Sequence, residues 1–342
     1  MELALYCPES GYYDRLKNRI GRNGDYFTSA SVGGLFGQLL AFQFSRWLAE
    51  MGPENGRLLE AGAHDGRLAS DILGWMKTSR SALFETVEYW ILEPSKQRRQ
   101  WQQSSLKAFA GKVRWFDSWE AIGQTGVRGV IFANELLDAM PVHRLGWDST
   151  RKVWFEWGVA MEGDRFVWTR LSMPHDSVSG LRAARLTLPP ELLAVLPDGF
   201  TTEVCPAAVE WWQQASTALK QGRLLTFDYG LTREQFLVPE RAQGTLRAYH
   251  QHRISNDLLA NMGEQDLTAQ VDFTALQEVG EAAGLKTEGL RPQSDFLTRV
   301  ALETRNAGAD FGTWTPDQLR EFQTLTHPEH LGRSFKVLVQ TR

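Results

Sequence analysis

The segment Glu60-Ala61-Gly62-Ala63-His64-Asp65-Gly66 has the composition of a turn that binds a nucleotide-like ligand. It joins a predicted strand to a predicted helix, where glycines allow a tight turn and a close approach of the backbone to a ligand. The amide groups at the start of the helix suit either a pyrophosphate or the carboxylate of a methionine moiety. The spacing differs from GxGxxG, and Glu60 would repel a pyrophosphate but could pair with an ammonium group. These details favour the methionine moiety, although two glycines in such a turn also occur for structural reasons alone.

Acidic or amide side chains also end the three strands that we predict after this turn. Glu93 ends the second strand, Asp117-Ser118 follow the third, and Asn134-Glu135 follow the fourth. A carboxylate at Glu93 can accept both hydroxyls of a ribose, and Asp117 lies where an adenine amine could be recognised. Each residue alone could be a plain surface side chain. The four strand ends together, Glu60 included, indicate S-adenosylmethionine.

The segment that follows the fourth strand runs from Asn134 to Pro141 and carries Glu135 and Asp138. These two acids are three residues apart and share a face if the segment is helical. Two carboxylates near a methyl donor could orient a guanidinium through paired hydrogen bonds and could take up its proton. A helix N-cap with solvated acids is the alternative explanation of the same spacing.

Strands that alternate with helices position these residues and predict a parallel sheet. A helix over 35–51, stopped by Gly52-Pro53, precedes them. The predicted strands span 57–61, 88–92, 113–116, 129–133 and 223–227, and the predicted helices span 68–76, 96–110, 207–220 and 271–283. A last, antiparallel strand is expected over 335–340. The fold class is α/β.

The pattern changes from about residue 142 onward. Two β-like stretches, 152–161 and 165–173, flank Gly163-Asp164, which predicts a hairpin. Residues 183–206 are rich in Leu and Pro and are typical of an insertion. We therefore expect an N-terminal helical and turn segment over 1–56 that covers the active site, a core over 57–150 and 207–342, and a substrate insertion over 151–206.

Composition excludes several other classes of protein. The net charge of -4 gives no general field for holding a phosphate backbone, so a nucleic-acid partner is not expected. Cys7 and Cys205 form no CxxC pair, and no metal site is expected. No apolar stretch is long enough to span a bilayer, and from the early acids Glu2, Glu9 and Asp14 we expect neither a signal peptide nor a mitochondrial presequence. These features predict a cytoplasmic protein that does not act at a membrane, with a homodimer as a further option.

Seven short stretches together resemble the MidA-type methyltransferases, whose mitochondrial members methylate an arginine of a respiratory complex I subunit. The resemblance runs from Met1 to about Leu297. The stretches are Glu9-Ser10-Gly11-Tyr12-Tyr13, Gly24-Asp25-Tyr26-Phe27-Thr28-Ser29, Asn134-Glu135 through Pro141, Asp228-Tyr229-Gly230, Gly244 through Tyr249, Asp266 through Phe273, and Gln293 through Leu297. Their order and joint occurrence make the match specific.

This resemblance implies a Rossmann-like, seven-stranded methyltransferase core with an inserted α+β substrate domain, an S-adenosylmethionine cofactor and a protein substrate, with arginine as the favoured acceptor. The cofactor-binding candidates are Glu60, Gly62, Ala63, Gly66, Leu68, Glu93, Pro94, Asp117, Ser118 and Asn134. The catalytic candidates are Asn134, Glu135 and Asp138. The substrate-binding candidates are Tyr13, Thr28, Ser29, Asp228, Tyr229, His250, Asp266 and Asp272.

The chain departs from the family pattern near the expected cofactor. Ala63 and His64 replace the proline and the middle glycine of the usual turn, and Ala30-Ser31-Val32-Gly33 replaces Pro-Glu-Ile-Ser. If position 64 needs a positive φ, histidine is a tolerable but poorer residue there than glycine. These departures leave open a non-catalytic, partner-binding descendant. A nicotinamide-dependent oxidoreductase is a third hypothesis, disfavoured by the spacing of the turn.

Overall fold

The computed structural model describes residues 1–7, 9–15, 28–52, 56–123, 125–171, 188–250, 253–255, 257–306 and 311–342. The part of the family stretch at Gly24–Phe27 therefore lies outside the described residues, as do the end of the predicted β-like stretch, 172–173, and the start of the Leu- and Pro-rich segment, 183–187.

The described residues form helices and strands with the following bounds. The helices are α1 Glu2–Tyr6, α2 Tyr12–Arg15, α3 Ser29–Val32, α4 Leu35–Glu50, α5 Arg67–Ser79, α6 Ser81–Thr86, α7 Lys96–Ser105, α8 Trp119–Ile122, α9 Pro190–Val195, α10 Pro206–Ala218, α11 Arg233–Phe236, α12 Phe273–Ala282, α13 Gln293–Asn306 and α14 Pro316–Thr326. The strands are β1 Arg57–Ala61, β2 Glu88–Leu92, β3 Val113–Phe116, β4 Val127–Asn134, β5 His143–Asp148, β6 Val153–Glu162, β7 Arg165–Leu171, β8 Thr201–Val204, β9 Leu219–Leu231, β10 Arg247–His250, β11 Arg253–Ser255, β12 Asp266–Thr268, β13 Val271–Asp272, β14 Lys286–Pro292 and β15 Phe335–Thr341.

The chain folds into two compact units. The first unit comprises Met1–Arg15, Leu137–Trp212 and Gly230–Val279, and the second comprises Leu16–Leu136, Gln213–Tyr229 and Gly280–Arg342. These units are not the segments 1–56, 57–150 with 207–342, and 151–206 expected from the sequence, and that functional division of the chain stays a prediction.

The second unit contains a mixed sheet with the strand order β14-β15-β9-β4-β1-β2-β3. The five strands from β9 to β3 are parallel, and β15 runs antiparallel to β9. This confirms the predicted α/β core with a final antiparallel strand. Because the carboxyl ends of parallel strands meet at one edge, the residues after β1, β2, β3 and β4 line the same edge.

Helix α4 fixes one face of this sheet. Twelve of its sixteen residues are buried, so the helix is apolar on most of its circumference. The ring of Phe44 lies 4.9 Å from that of Phe132 on β4, and the ring of Phe36 lies 5.3 Å from that of Phe227 on β9. Close-packed aromatic contacts of this kind hold the ends of β4 and β9 in place.

The first unit is built around antiparallel strands. One sheet has the order β7-β6-β5-β8, and a smaller sheet has the order β11-β10-β12. Strands β6 and β7 form the predicted hairpin, with Gly163 at φ 59° between them. This α+β arrangement agrees with the inserted domain that the family resemblance implies.

Two local expectations differ from the structure. The helix expected over 271–283 begins only at Phe273, because Val271 and Asp272 pair with β9 as a short strand. Residues 135–140 form bends and turns rather than a helix, so Glu135 and Asp138 do not share a helical face.

The helices of the described residues include none whose length and hydropathy would let it span a membrane.

Candidate active site

The glycine turn links β1 to α5 through three left-handed residues. Gly62 has φ 72°, His64 has φ 45° and Gly66 has φ 84°. This φ favours glycine at position 62, and a Cβ atom there would also lie 2.8 Å from Cδ1 of Leu136, whose side chain would have to shift. His64 does adopt a positive φ, which costs a non-glycine residue conformational energy. The turn is therefore tight, and its histidine is held in a strained position.

The side chain of Glu60 is buried beneath the turn. Its carboxyl accepts a hydrogen bond of 2.6 Å from the hydroxyl of Tyr89 on the neighbouring strand β2. Burial raises the pKa of Glu60 from its ordinary value of 4.5 to about 7. The carboxyl is thus directed at Tyr89, and its pairing with an ammonium group stays a prediction.

Glu93, directly after β2, is held by donors from its own turn and from α7. Its Oε1 accepts the amide of Ser95 at 3.0 Å, and Nε of Arg98 lies 3.6 Å from the same oxygen. Its Oε2 accepts a hydrogen bond of 3.1 Å from Nε2 of Gln102. A carboxylate has about four lone-pair sites. Glu93 therefore keeps acceptor capacity for a ligand hydroxyl while its orientation is fixed.

Some of the remaining cofactor candidates lie in the hydrophobic core, and others lie at the surface. Ala63 and Leu68 are buried in the hydrophobic core of the second unit, whereas Pro94 and Asp117 are exposed. Ser118 caps α8 by accepting the amide of Ala121 at 3.3 Å. The structure thus gives Ser118 a structural role, and the adenine contact of Asp117 stays a prediction.

Asn134 and Glu135 stand at the carboxyl end of β4. Glu135 has φ 52°, and its amide donates to the carbonyl of Phe227 at 2.8 Å. Its Oε1 accepts the amide of Ser29 at 2.7 Å and Nδ2 of Asn134 at 3.0 Å. A left-handed glutamate that is fixed by three hydrogen bonds is typical of a functional position.

Thr28 and Ser29 support this arrangement. Thr28 caps α3 in a reciprocal pair with Ser31. The hydroxyl of buried Ser29 donates to Oε1 of Gln293 at 3.0 Å, and Nε2 of Gln293 donates to the carbonyl of Leu325. The amide of Ser29 therefore contacts Glu135 directly, while Gln293, which the sequence indicated only as part of a family stretch, holds the hydroxyl of Ser29.

The first unit brings Tyr13, Asp138 and Asp266 to its small sheet. The hydroxyl of Tyr13 donates to Oδ1 of Asp266 at 2.7 Å, and the carbonyl of Asp138 accepts the amide of Ala269 at 2.9 Å. Tyr249 pairs with Asp266 across β10 and β12. Burial and, after it, the charges of Asp138 and Asp266 raise the pKa of Tyr249. Sequence reasoning missed Tyr249 as a site residue, although it ends one of the family stretches.

The other predicted substrate residues have structural partners. Asp272 caps α12 by accepting the amide of Ala275 at 3.1 Å and lies 3.6 Å from Arg233, and Nδ1 of His250 donates to the carbonyl of Glu264. In the second unit, Asp228 is fully buried and accepts the amide of Tyr229, whose ring packs on Phe335. Their contacts with a substrate stay predictions.

The chain matches the family model described as S-adenosyl-L-methionine-dependent methyltransferase over residues 39–291. This range covers the turn, Glu93 and the Asn134–Asp138 segment. The chain belongs to this family. It is therefore a methyltransferase that uses S-adenosylmethionine, and the nicotinamide and non-catalytic hypotheses lose their support.

Curated relatives point to the same family. The chain is 28% identical over 368 residues to a Drosophila melanogaster protein named "Protein arginine methyltransferase NDUFAF7 homolog, mitochondrial", a match that covers 99% of this chain and 79% of the relative. It is 26% identical to the Danio rerio protein named "Protein arginine methyltransferase NDUFAF7, mitochondrial", with 98% of this chain and 81% of the relative covered. These relatives are named as mitochondrial, so the prediction of a cytoplasmic location is wrong.

Solved structures agree with the cofactor. A crystal structure from Burkholderia thailandensis bound to S-adenosyl-homocysteine superposes with a TM-score of 0.81 at 28% identity and covers 100% of this chain and 86% of that one. A native crystal structure from the same organism gives a TM-score of 0.80 at 29% identity, with 100% and 85% covered.

The residues of this chain fit the cofactor. Oδ1 of Asn134 is buried and has no hydrogen-bond partner among the described residues, while its Nδ2 is committed to Glu135. A buried acceptor without a donor costs free energy until one arrives. The register places Ala133 opposite Ala61, so this acceptor stands beside the glycine turn. An ammonium donor at the turn would satisfy it.

Proposed function

We propose that this chain transfers a methyl group from S-adenosylmethionine to an arginine side chain of a protein substrate. The arrangement at Glu135 carries the proposal: a left-handed glutamate at the cofactor edge, fixed by the amide of Ser29 and by Asn134. The names of the curated relatives, which are protein arginine methyltransferases, support the choice of acceptor.

The cofactor would be held at the edge formed by the second unit. Gly62 and Gly66 would admit its methionine end, Asn134 would accept from its ammonium group, and Glu93 would accept from its ribose hydroxyls. When bound, S-adenosylmethionine supplies an electrophilic methyl group and a thioether leaving group. The chain's own contribution is mainly to position the acceptor and to exclude water.

The acidic residues would act on the acceptor. A guanidinium is planar and presents paired donors, which suit carboxylates. Glu135 and Asp138, three residues apart in the chain, would supply such carboxylates, and the side chain of Asp138 is buried. Such groups can orient a cationic side chain, and the carboxylate of Glu135 would take the proton that leaves the methylated nitrogen.

A transfer assay with labelled S-adenosylmethionine and cell lysate tests this function, followed by hydrolysis and identification of the labelled amino acid. We expect methylarginine. Glu135→Gln and Asp138→Asn should each abolish labelling while the dissociation constant of S-adenosylhomocysteine stays unchanged. The exposed Glu240→Gln serves as the matched control and should keep full activity.

Two results would contradict the proposal. Labelled lysine or a labelled small molecule would refute arginine as the acceptor. Full activity of both acidic variants would refute the role of the carboxylates. A homodimer and the lack of a nucleic-acid partner stay predictions of the sequence.

A further inference from the structure

Gln102 on α7 is a fully buried polar side chain at the centre of the cofactor edge. Its Nε2 donates to the backbone carbonyl of His64 at 3.0 Å and to Oε2 of Glu93 at 3.1 Å. Its Oε1 accepts a hydrogen bond of 3.0 Å from Nε1 of Trp115 on β3. One carboxamide therefore joins the glycine turn, the acid after β2 and the adjacent strand.

The chemistry of the partners fixes the orientation of this carboxamide. A backbone carbonyl and a carboxylate can only accept, and an indole N–H can only donate. The NH₂ group must therefore face His64 and Glu93, and the oxygen must face Trp115. The reversed orientation would leave all three hydrogen bonds unmade, at a high cost for buried groups.

Gln102 differs in burial from the other residues of α7. The helix Lys96–Ser105 is strongly polar, and of its residues only Gln102 is buried. An apolar side chain of the same length would fill the same space without the hydrogen bonds. The buried amide thus implies a function for its donors and its acceptor.

We propose that Gln102 is a positioning residue for the cofactor ribose: it holds the carboxylate of Glu93 and the carbonyl of His64 in the geometry that receives the ligand. This inference rests on the proposed role of Glu93. The hydrogen bond to Glu93 is charge-assisted and is therefore the stronger of the two that Nε2 donates. The Trp115 indole, in turn, keeps the carboxamide from rotating.

Titration calorimetry with two ligands tests the proposal. The ligands are S-adenosylhomocysteine and its analogue that lacks both ribose hydroxyls. Gln102→Met keeps the length of the side chain and removes the three hydrogen bonds. We expect it to weaken the binding of S-adenosylhomocysteine about tenfold, the usual effect of one charge-assisted hydrogen bond. Binding of the analogue should weaken less than about threefold.

The matched control is Gln103→Met, since Gln103 is the exposed neighbour on the same helix. Both ligands should bind this control as they bind the wild type. Trp115→Phe is a second variant that removes the donor to Gln102 together with part of the ring, and we expect a loss of about threefold for S-adenosylhomocysteine alone. It keeps the proposal testable if Gln102→Met does not fold.

The two ligands separate positioning from mere packing. An equal loss for both ligands, or no loss for either, would overturn the role of Gln102, because a packing defect does not depend on ribose hydroxyls. The Glu93→Ala variant distinguishes a wrong assignment of Gln102 from a wrong assignment of Glu93. If Glu93→Ala also leaves the affinity for S-adenosylhomocysteine unchanged, the assignment of Glu93 is wrong, whereas a loss there with none at Gln102→Met refutes Gln102 alone.

Discussion

Replacing Glu60 by glutamine should remove the decline in stability that ionisation of this carboxyl causes as the pH rises from about 5 to 8. The carboxyl of Glu60 is buried and bonded to Tyr89, and its pKa is raised from 4.5 to about 7. The folded protein therefore binds this proton more tightly than the unfolded chain does. The resulting stabilisation is complete below pH 4.5 and is lost as the pH rises through about 7.

The size of the effect follows from the two pKa values. A difference of one pKa unit between the folded and unfolded states corresponds to about 1.4 kcal/mol. The ionised carboxyl therefore destabilises the fold by on the order of 3 kcal/mol relative to the protonated one. About 2–3 kcal/mol of this falls between pH 5 and pH 8. Glutamine retains an acceptor for the Tyr89 hydroxyl and has no charge in this range.

Urea unfolding of the wild type and of Glu60→Gln at several pH values measures the difference directly. The free energy of unfolding of the variant should gain on that of the wild type as the pH rises, and most of the gain should occur between pH 4.5 and about 7, the two pKa values of Glu60. The exposed Glu240→Gln controls for the change in net charge. Parallel pH profiles for Glu60→Gln and the wild type would refute the reasoning, because they would mean that Glu60 is ionised at no cost in the fold.

Two further predictions concern the same edge of the sheet. Glu93→Ala should weaken S-adenosylhomocysteine by on the order of 1–3 kcal/mol, because it leaves polar groups without partners, and an unchanged dissociation constant in calorimetry would contradict this. His64→Gly should raise the free energy of unfolding by about 1 kcal/mol, since glycine relieves the positive φ of 45° at that position. Thermal unfolding would show the reverse if the ring of His64 stabilises the turn more than its backbone strain destabilises it.

Much of the core could be predicted from the sequence because its signals are local. Strands β1, β2 and β3 have the bounds that the apolar runs and turn residues indicate, and the hairpin of β6 and β7 follows from Gly163 between two β-like stretches. Strand β5, the small sheet of β10 to β12, and helices α13 and α14 were not predicted. Strand β5 also pairs with β8, and α13 and α14 both contact α4, so these elements depend partly on segments far apart in the chain.

The site residues, too, could be predicted from the sequence only in part. The sequence marked Glu60, Glu93 and Glu135 as acids at strand ends, because each lies directly beside a turn that can be recognised in the chain. It did not show that Glu60 would be bonded to Tyr89, or that a Gln102 side chain would reach Glu93 from nine residues away. A buried glutamine in a polar helix looks like a surface residue until the helix is packed.

By itself, then, the sequence determined the type of ligand and the strand ends that receive it, since the residue types and the glycine turn are local properties of the chain. Only the tertiary structure decided the pKa, the placement and the hydrogen bonds of those residues. Burial changes the pKa of Glu60, the register of β4 against β1 places Asn134 beside the turn, and the packing of α3 delivers the amide of Ser29 to Glu135. Charge, orientation and strain depend on neighbours that are distant in sequence, which is why they emerged only from the folded chain.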